Sequence, residues 1–196
     1  MKRTSLVFML LAMIATGSMA QTKWSVDKVH SAVKFSVSHM MVAETEGSFK
    51  VFDGSVDSKK DDDFTDAKIN FTIDVNSINT DNERRDGHLK SDDFFNAAQF
   101  PGMKFESTSM KSLGGNKYEL KGNLTIRDVT KPVSFQVTYG GLLKTSKGTK
   151  AGFKASTTIN RFDYKLKFDA KTETGGLVVG QDVEIVVKVE LDKAAN

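Results

Sequence analysis

The chain has 196 residues, with 28 basic and 25 acidic side chains, and no cysteine. A formal charge of +3 gives no sign of a nucleic-acid footprint. Without cysteine there are neither disulfides nor thiolate metal ligands, so a packed interior has to supply the stability.

The N-terminus reads as a secretory signal peptide over residues 1–20. Lys2 and Arg3 give a positive start, Leu6 to Ala15 is apolar, and Ser18-Met19-Ala20 offers small residues for cleavage after Ala20. The apolar run is too short to span a hydrocarbon layer of ~30 Å. The expected product is soluble, exported to a bacterial periplasm, and forms one domain over residues 21–196. Losing Lys2 and Arg3 leaves 26 basic against 25 acidic groups, close to neutrality.

From Trp24 onward, period-two alternation dominates. WSVDK opens the series. In HSAVKFSVSH, Val33, Phe35 and Val37 share one face and Lys34, Ser36 and Ser38 the other. GSFKVFDGSV follows, then KINFTIDV with Ile69, Phe71, Ile73 and Val75 in phase. MKFESTSMKS, KYELKGNLTI, VSFQVTYGG, KAGFKASTTI and DVEIVVKVEL complete about nine strand-like segments, eight if weak boundaries merge. GGN at 114–116, Gly140-Gly141, Lys147-Gly148 and Gly175-Gly176 mark reversals, and Pro101 and Pro132 stand beside strand beginnings. Two stretches are helical candidates: DGHLKSDDFF, with Asp86 as cap of a helix from Gly87 or His88, and SVSHMMVAET. So many antiparallel strands predict an all-β sandwich or closed barrel. The thirteen phenylalanines beyond residue 20 fill a core or line a cavity, and periodicity does not separate these outcomes.

Catalytic signatures are missing. There is no Gly-x-Ser-x-Gly elbow, phosphate-binding glycine loop or His-Glu-x-x-His pair, and the histidines are only His30, His39 and His88. Asp86 beside His88 could orient an imidazole for base chemistry, but a salt-bridge network with Arg84 or Arg85 explains the same residues. No catalytic residue, metal ligand set or cofactor is therefore assigned. RRDGHLKSDDFF (84–95) has two readings. It is a solvated connection packing Leu89, Phe94 and Phe95 onto the sheet, or a cover over a cavity whose Arg85 or His88 meets a polar headgroup.

The stretches WSVDKVHSAVKFSVSHM, GSFKVFDGSV, SINTDNERRDGHLKSDDFFNAAQFPGMKFESTSM, KYELKGNLTIRDVTKPVSFQV and TTINRFDYKL resemble the YceI-like family of secreted bacterial lipid-binding proteins. The resemblance covers residues 24 to 191. It implies an extended eight-stranded antiparallel lipocalin-like barrel with an apolar tunnel and one or two short helices. It also implies a long-chain isoprenoid ligand, an isoprenoid quinone or a polyprenyl phosphate, carried or stored rather than transformed. Transient membrane contact and a homodimer are compatible with that role.

Within this resemblance, strand phase assigns Phe35, Phe71, Phe105, Phe135 and Phe153 to the tunnel. Arg85, Asp86, His88, Phe94, Phe95 and Arg161 become headgroup or cover candidates. The family usually has glycine at the place of Asp128 and tends toward glycine near Tyr164, whose ring narrows one tunnel end or extends over the surface. The competing reading is an exported protein with a packed barrel that works through protein contacts. A lipid-modifying enzyme is a third.

Overall fold

The computed structural model describes residues 21–194; the signal-peptide expectation for residues 1–20 lies outside them. The strands are β1 (Thr22–Val26), β2 (Ala32–His39), β3 (Ala43–Phe49), β4 (Phe52–Ser58), β5 (Lys68–Asp74), β6 (Ile78–Asn79), β7 (Gly102–Gly114), β8 (Lys117–Ile126), β9 (Val129–Thr145), β10 (Gly148–Asn160) and β11 (Val179–Lys193). The helix α1 (Glu83–Lys90) lies between β6 and β7, and 3-10 turns occupy Val75–Ser77 and Arg161–Tyr164.

These strands close into an antiparallel barrel with eight walls. β1 and β2 stand end to end beside β11: Trp24–Val26 pair with Leu191–Lys193, and Ala32–Val37 with Val183–Lys188. β3 and β4 are the next wall, pairing with β2 and β1, and β6 and β5 the third. β7 to β11 supply the other five walls in sequence order. Pairing of β1 with β11 closes the ring and leaves β6 at the end of the strand order.

The breaks have local causes. The Asp27 carboxylate accepts from the N–H groups of Val29 and His30, turning the chain between β1 and β2. GSFKVFDGSV, expected as one strand, breaks at Lys50-Val51, where both N–H groups turn to Ser77. Bulges then change side-chain phase within long strands. Between Ser107 and Ser109 the register of β7 shifts, so Met103 and Phe105 are followed inward by Met110.

Three local expectations are corrected. Gly140-Gly141 does not end a strand. β9 continues to Thr145, and the pair forms a bulge where Phe153 faces Tyr139 and Gly152 faces Gly141, with φ +118° at Gly141. SVSHMMVAET is the β2–β3 hairpin, since alternation persists to the edge of Met40 and the helix-forming run beyond it is too short to nucleate. The helix starts at Glu83, not at Gly87. Asn82 is its cap and accepts from the Arg85 N–H, while Asp86 is drawn to Thr80.

Candidate functional site

Inward-facing side chains of the barrel enclose an apolar cavity of about 210 Å³. Phe35, Phe71, Phe105, Phe135 and Phe153 all line it. Alternation explains why each faces inward, but the two halves of the barrel use that face differently. On β7, β8 and β9, Met103, Phe105, Met110, Leu120, Leu124, Ile126, Phe135 and Val137 are buried in contact with one another. On β2, β5, β10 and β11, Phe35, Phe71, Phe153, Ile185 and Val187 remain only half-buried. Residues of both sets line the cavity, so the lumen runs between the more tightly packed walls and the more open ones.

Gly47 and Gly122 shape this space. A Cβ on Gly47 would lie 2.3 Å from the ring of Phe35, and one on Gly122 would lie 2.4 Å from that of Phe105. Both rings thus occupy the space that a side chain at these glycines would need.

The end bearing residues 59–67 is closed. Phe64 folds back under the barrel and is 1% exposed. Its ring packs against Trp24, Tyr139 and Phe153 at centroid distances of 5.5, 5.6 and 4.7 Å. The Trp24 indole N–H donates to the buried Ser58 hydroxyl at 2.9 Å, so the large ring carries no unpaired donor.

At the opposite end stand the α1 connection, the segment from Arg161 to Val178, and the β2–β3 turn. Leu89, Phe94 and Phe95 reach the cavity, with Phe95 edge-on to Phe49 and Phe94 stacked on Phe168. RRDGHLKSDDFF therefore covers this end through its apolar residues. Its charged residues face elsewhere. Arg85 donates from Nε to the Thr80 hydroxyl and from Nη2 to the Thr80 carbonyl, both at 2.7 Å. Asp86 accepts from the Thr80 N–H and hydroxyl. His88 meets Asp93 at 2.9 Å and packs edge-on against Phe94 and Phe168. None of these three lines the cavity.

Arg161 is 2% exposed and borders the cavity, yet its polar atoms are already engaged. It donates from Nε to Gly180, from Nη1 to Leu166 and from Nη2 to Val179, all to backbone carbonyls at 2.8–2.9 Å. Its plane lies over Phe162 at 4.1 Å. Burial lowers its pKa from the ordinary value. Tyr164 is buried beside it and lines the cavity, with its hydroxyl pushed up to about 12 by burial. Its ring thus narrows the interior. Asp128 pairs with Lys165 at the surface, and the positive φ of that turn falls on Arg127, so Asp128 carries no glycine-like backbone demand.

Arg127 is a contributor without a clear local signal. Its guanidinium binds Asp92 and the carbonyls of Asp92, Phe94 and Lys165, joining the cover to the Arg161 segment. Phe64 is similarly hidden in the acidic run DDDF, although one aromatic among four polar neighbours marks a candidate plug.

The acidic group Asp27, His30 and Glu190 has ligand atoms within 4.8 Å of one another. The Lys150 ammonium already occupies it, 3.0 Å from Asp27, 2.8 Å from Glu190 and 2.7 Å from Asp192. Asp27 raises the His30 pKa, and His30 with Lys150 lowers that of Asp27. This is an ion-pair latch between the β1–β2 break and the last two strands.

A single antiparallel barrel with an apolar lumen can now be set against known proteins. The YceI-like domain matches residues 24–191. The chain belongs to the YceI-like family. A UPF0312 protein of Staphylococcus aureus is 39% identical over 171 residues, covering 86% of this chain and 96% of that protein. The Campylobacter jejuni YCEI protein is 30% identical with a TM-score of 0.70, covering 81% of this chain and 90% of that structure. A polyisoprenoid binding domain from Saccharophagus degradans, implicated in plant cell wall breakdown, shares the fold at 17% identity and a TM-score of 0.64, over 87% of this chain and 98% of that structure.

Proposed function

We propose that this YceI-like barrel binds a long-chain isoprenoid lipid and carries or stores it in the periplasm, after export directed by residues 1–20. The observation that carries the reading is the cavity wall. Almost all of its surface is carbon, although Lys34, Lys104, Arg161 and Tyr164 border it. Such a wall recognises a tail and offers nothing to an ionised head. The polyisoprenoid binding described for the Saccharophagus neighbour supports the same ligand class.

Tail burial alone does not select the cargo. Relative to water, each buried CH₂ contributes ~0.8 kcal/mol, but a membrane lipid is already dry, so most of that gain cancels on transfer. Shape and head contacts then discriminate. A lumen of about 210 Å³ takes part of a long isoprenoid tail, since a water-sized group has a share of about 30 Å³ in the liquid. A longer tail widens the barrel or leaves its head outside. With Arg161 engaged by carbonyls and Arg85 by Thr80, a neutral quinone head held at the mouth fits better than a pyrophosphate drawn inside.

The test is mass spectrometry of an organic extract from protein purified without detergent. A stoichiometric isoprenoid supports the assignment and identifies the head. An empty protein that also fails to take up added quinone or polyprenyl phosphate overturns it, in favour of an interaction protein.

A further inference from the structure

The β2–β3 turn carries three exposed apolar residues in a row: Met40, Met41 and Val42 are 46%, 70% and 86% exposed. Val42 N–H donates to the His39 carbonyl, closing a tight turn whose two central residues, Met40 and Met41, have φ of +50° and +60°. This backbone is normally supplied by Asn-Gly, because a side chain at positive φ crowds its own backbone. Two methionines here cost stability twice, by strain and by exposure. A sequence selected only for folding would not combine them.

The turn also stands at one end of the cavity. Val37 of β2 and Val179 and Val183 of β11 line the lumen, and His39 pairs with Val179. The next three residues are the turn, which projects roughly 10 Å beyond Val37 at ~3.3 Å per residue. The Met41 thioether lies beside Gly176, where an added Cβ would approach its Cε and Sδ to 2.9 and 3.2 Å, while the residue stays 70% exposed. The Met40 N–H is anchored to the Val178 carbonyl, so the turn is fixed to the neighbouring loop.

We infer that Met40, Met41 and Val42 form a docking tip that inserts into a lipid bilayer surface while cargo passes between membrane and cavity. This rests on the isoprenoid-binding reading. The shape selects the occupant. The tip is convex and three residues wide, far from the ~800 Å² per partner of a stable protein interface, whereas flexible thioethers suit a surface without fixed complementarity. Exposed Glu44 and Glu46 follow on β3 and stop insertion at about the depth of the turn. Their negative charge favours neutral or zwitterionic lipid and gives binding a weak dependence on salt.

The decisive variant is Met40→Asn combined with Met41→Gly, which removes the apolar tip and supplies residues suited to the turn, so the fold is retained. Wild-type and variant proteins, freed of lipid, are mixed with phosphatidylcholine vesicles containing a long-chain polyprenol. The variant should bind vesicles and take up polyprenol at least tenfold more weakly and slowly, with a thermal midpoint equal to or above wild type. Uptake of the same polyprenol delivered from detergent should be unchanged. Vesicle binding and uptake at wild-type levels in the variant overturn the inference, as does a wild-type protein that ignores vesicles. A tip that joins two copies would instead change oligomeric state without altering vesicle binding, and also overturns it. If wild type binds vesicles through the tip but takes up no polyprenol from either source, docking stands and the cargo reading fails.

Discussion

Replacing Ala155 by phenylalanine separates a hollow barrel from a packed one. Ala155 lies on β10 between Val137 of β9 and Val187 of β11, faces inward, is half-buried and lines the cavity. In a filled core, roughly six added carbons force neighbours off their rotamers and cost ~1–3 kcal/mol. Here the ring projects into open apolar space. Complete burial of such a side chain contributes ~1.5–3 kcal/mol relative to exposure, and part of this is lost to ordering the ring and to the alanine contacts already present. A net gain of about 1 kcal/mol is expected, raising the thermal midpoint by about 2–4 °C in a domain of this size. The ring also occupies space otherwise available to a lipid tail. Calorimetry should use delipidated protein, because bound ligand raises the midpoint by mass action. Uptake of an isoprenoid quinone by the same sample supplies the second readout. Stability equal to or above wild type, with sharply reduced uptake, is the expected pair. A midpoint lowered by 5 °C or more, with full uptake, would refute the hollow-barrel reasoning.

The two arginines of the cover should behave unequally in urea denaturation. Arg161→Met leaves three backbone carbonyls without their donor and should cost at least ~3 kcal/mol. Arg85→Ala removes the exposed clamp on Thr80, costing about 1 kcal/mol and leaving ligand preference intact; unchanged stability with loss of one lipid class would contradict that assignment. Glycine substitutions should diverge in thermal melts. Gly122→Ala places a Cβ 2.4 Å from the Glu106 carbonyl oxygen and should cost ~1–3 kcal/mol, whereas Gly87→Ala meets nothing within 4 Å inside α1 and should gain up to ~1 kcal/mol. By NMR titration, His30 should have a midpoint above 6.5, because the Asp27 carboxylate favours its charged form. The stabilisation from that pair is complete below pH 6.5 and disappears as pH rises through the folded midpoint. A midpoint at or below 6.5 would count against the latch.

Local pattern determined which side chains share a strand face. The alternation of Val33, Phe35 and Val37, or of Ile69, Phe71 and Ile73, follows from the two-residue repeat of an extended chain and needs no tertiary information. Motif resemblance supplied the barrel and the covering connection. Whether the shared face met other side chains or open space was a matter of closure. Pairing of β11 with both β1 and β2 fixed the circumference, and eight walls left more interior than their side chains fill.

Other assignments depended on how the backbone folds around a side chain. Asp86 looks like a helix cap until Thr80 lies within reach of its carboxylate, leaving that role to Asn82. Arg161 looks like a headgroup ligand until the carbonyls of Leu166, Val179 and Gly180 converge on it. A cation's chemical type is written in the sequence, but its available hydrogen-bonding capacity is decided by the backbone folded around it. Periodicity therefore determined the wall of this protein, and tertiary closure decided that the wall encloses a cavity and that its buried arginine is already satisfied.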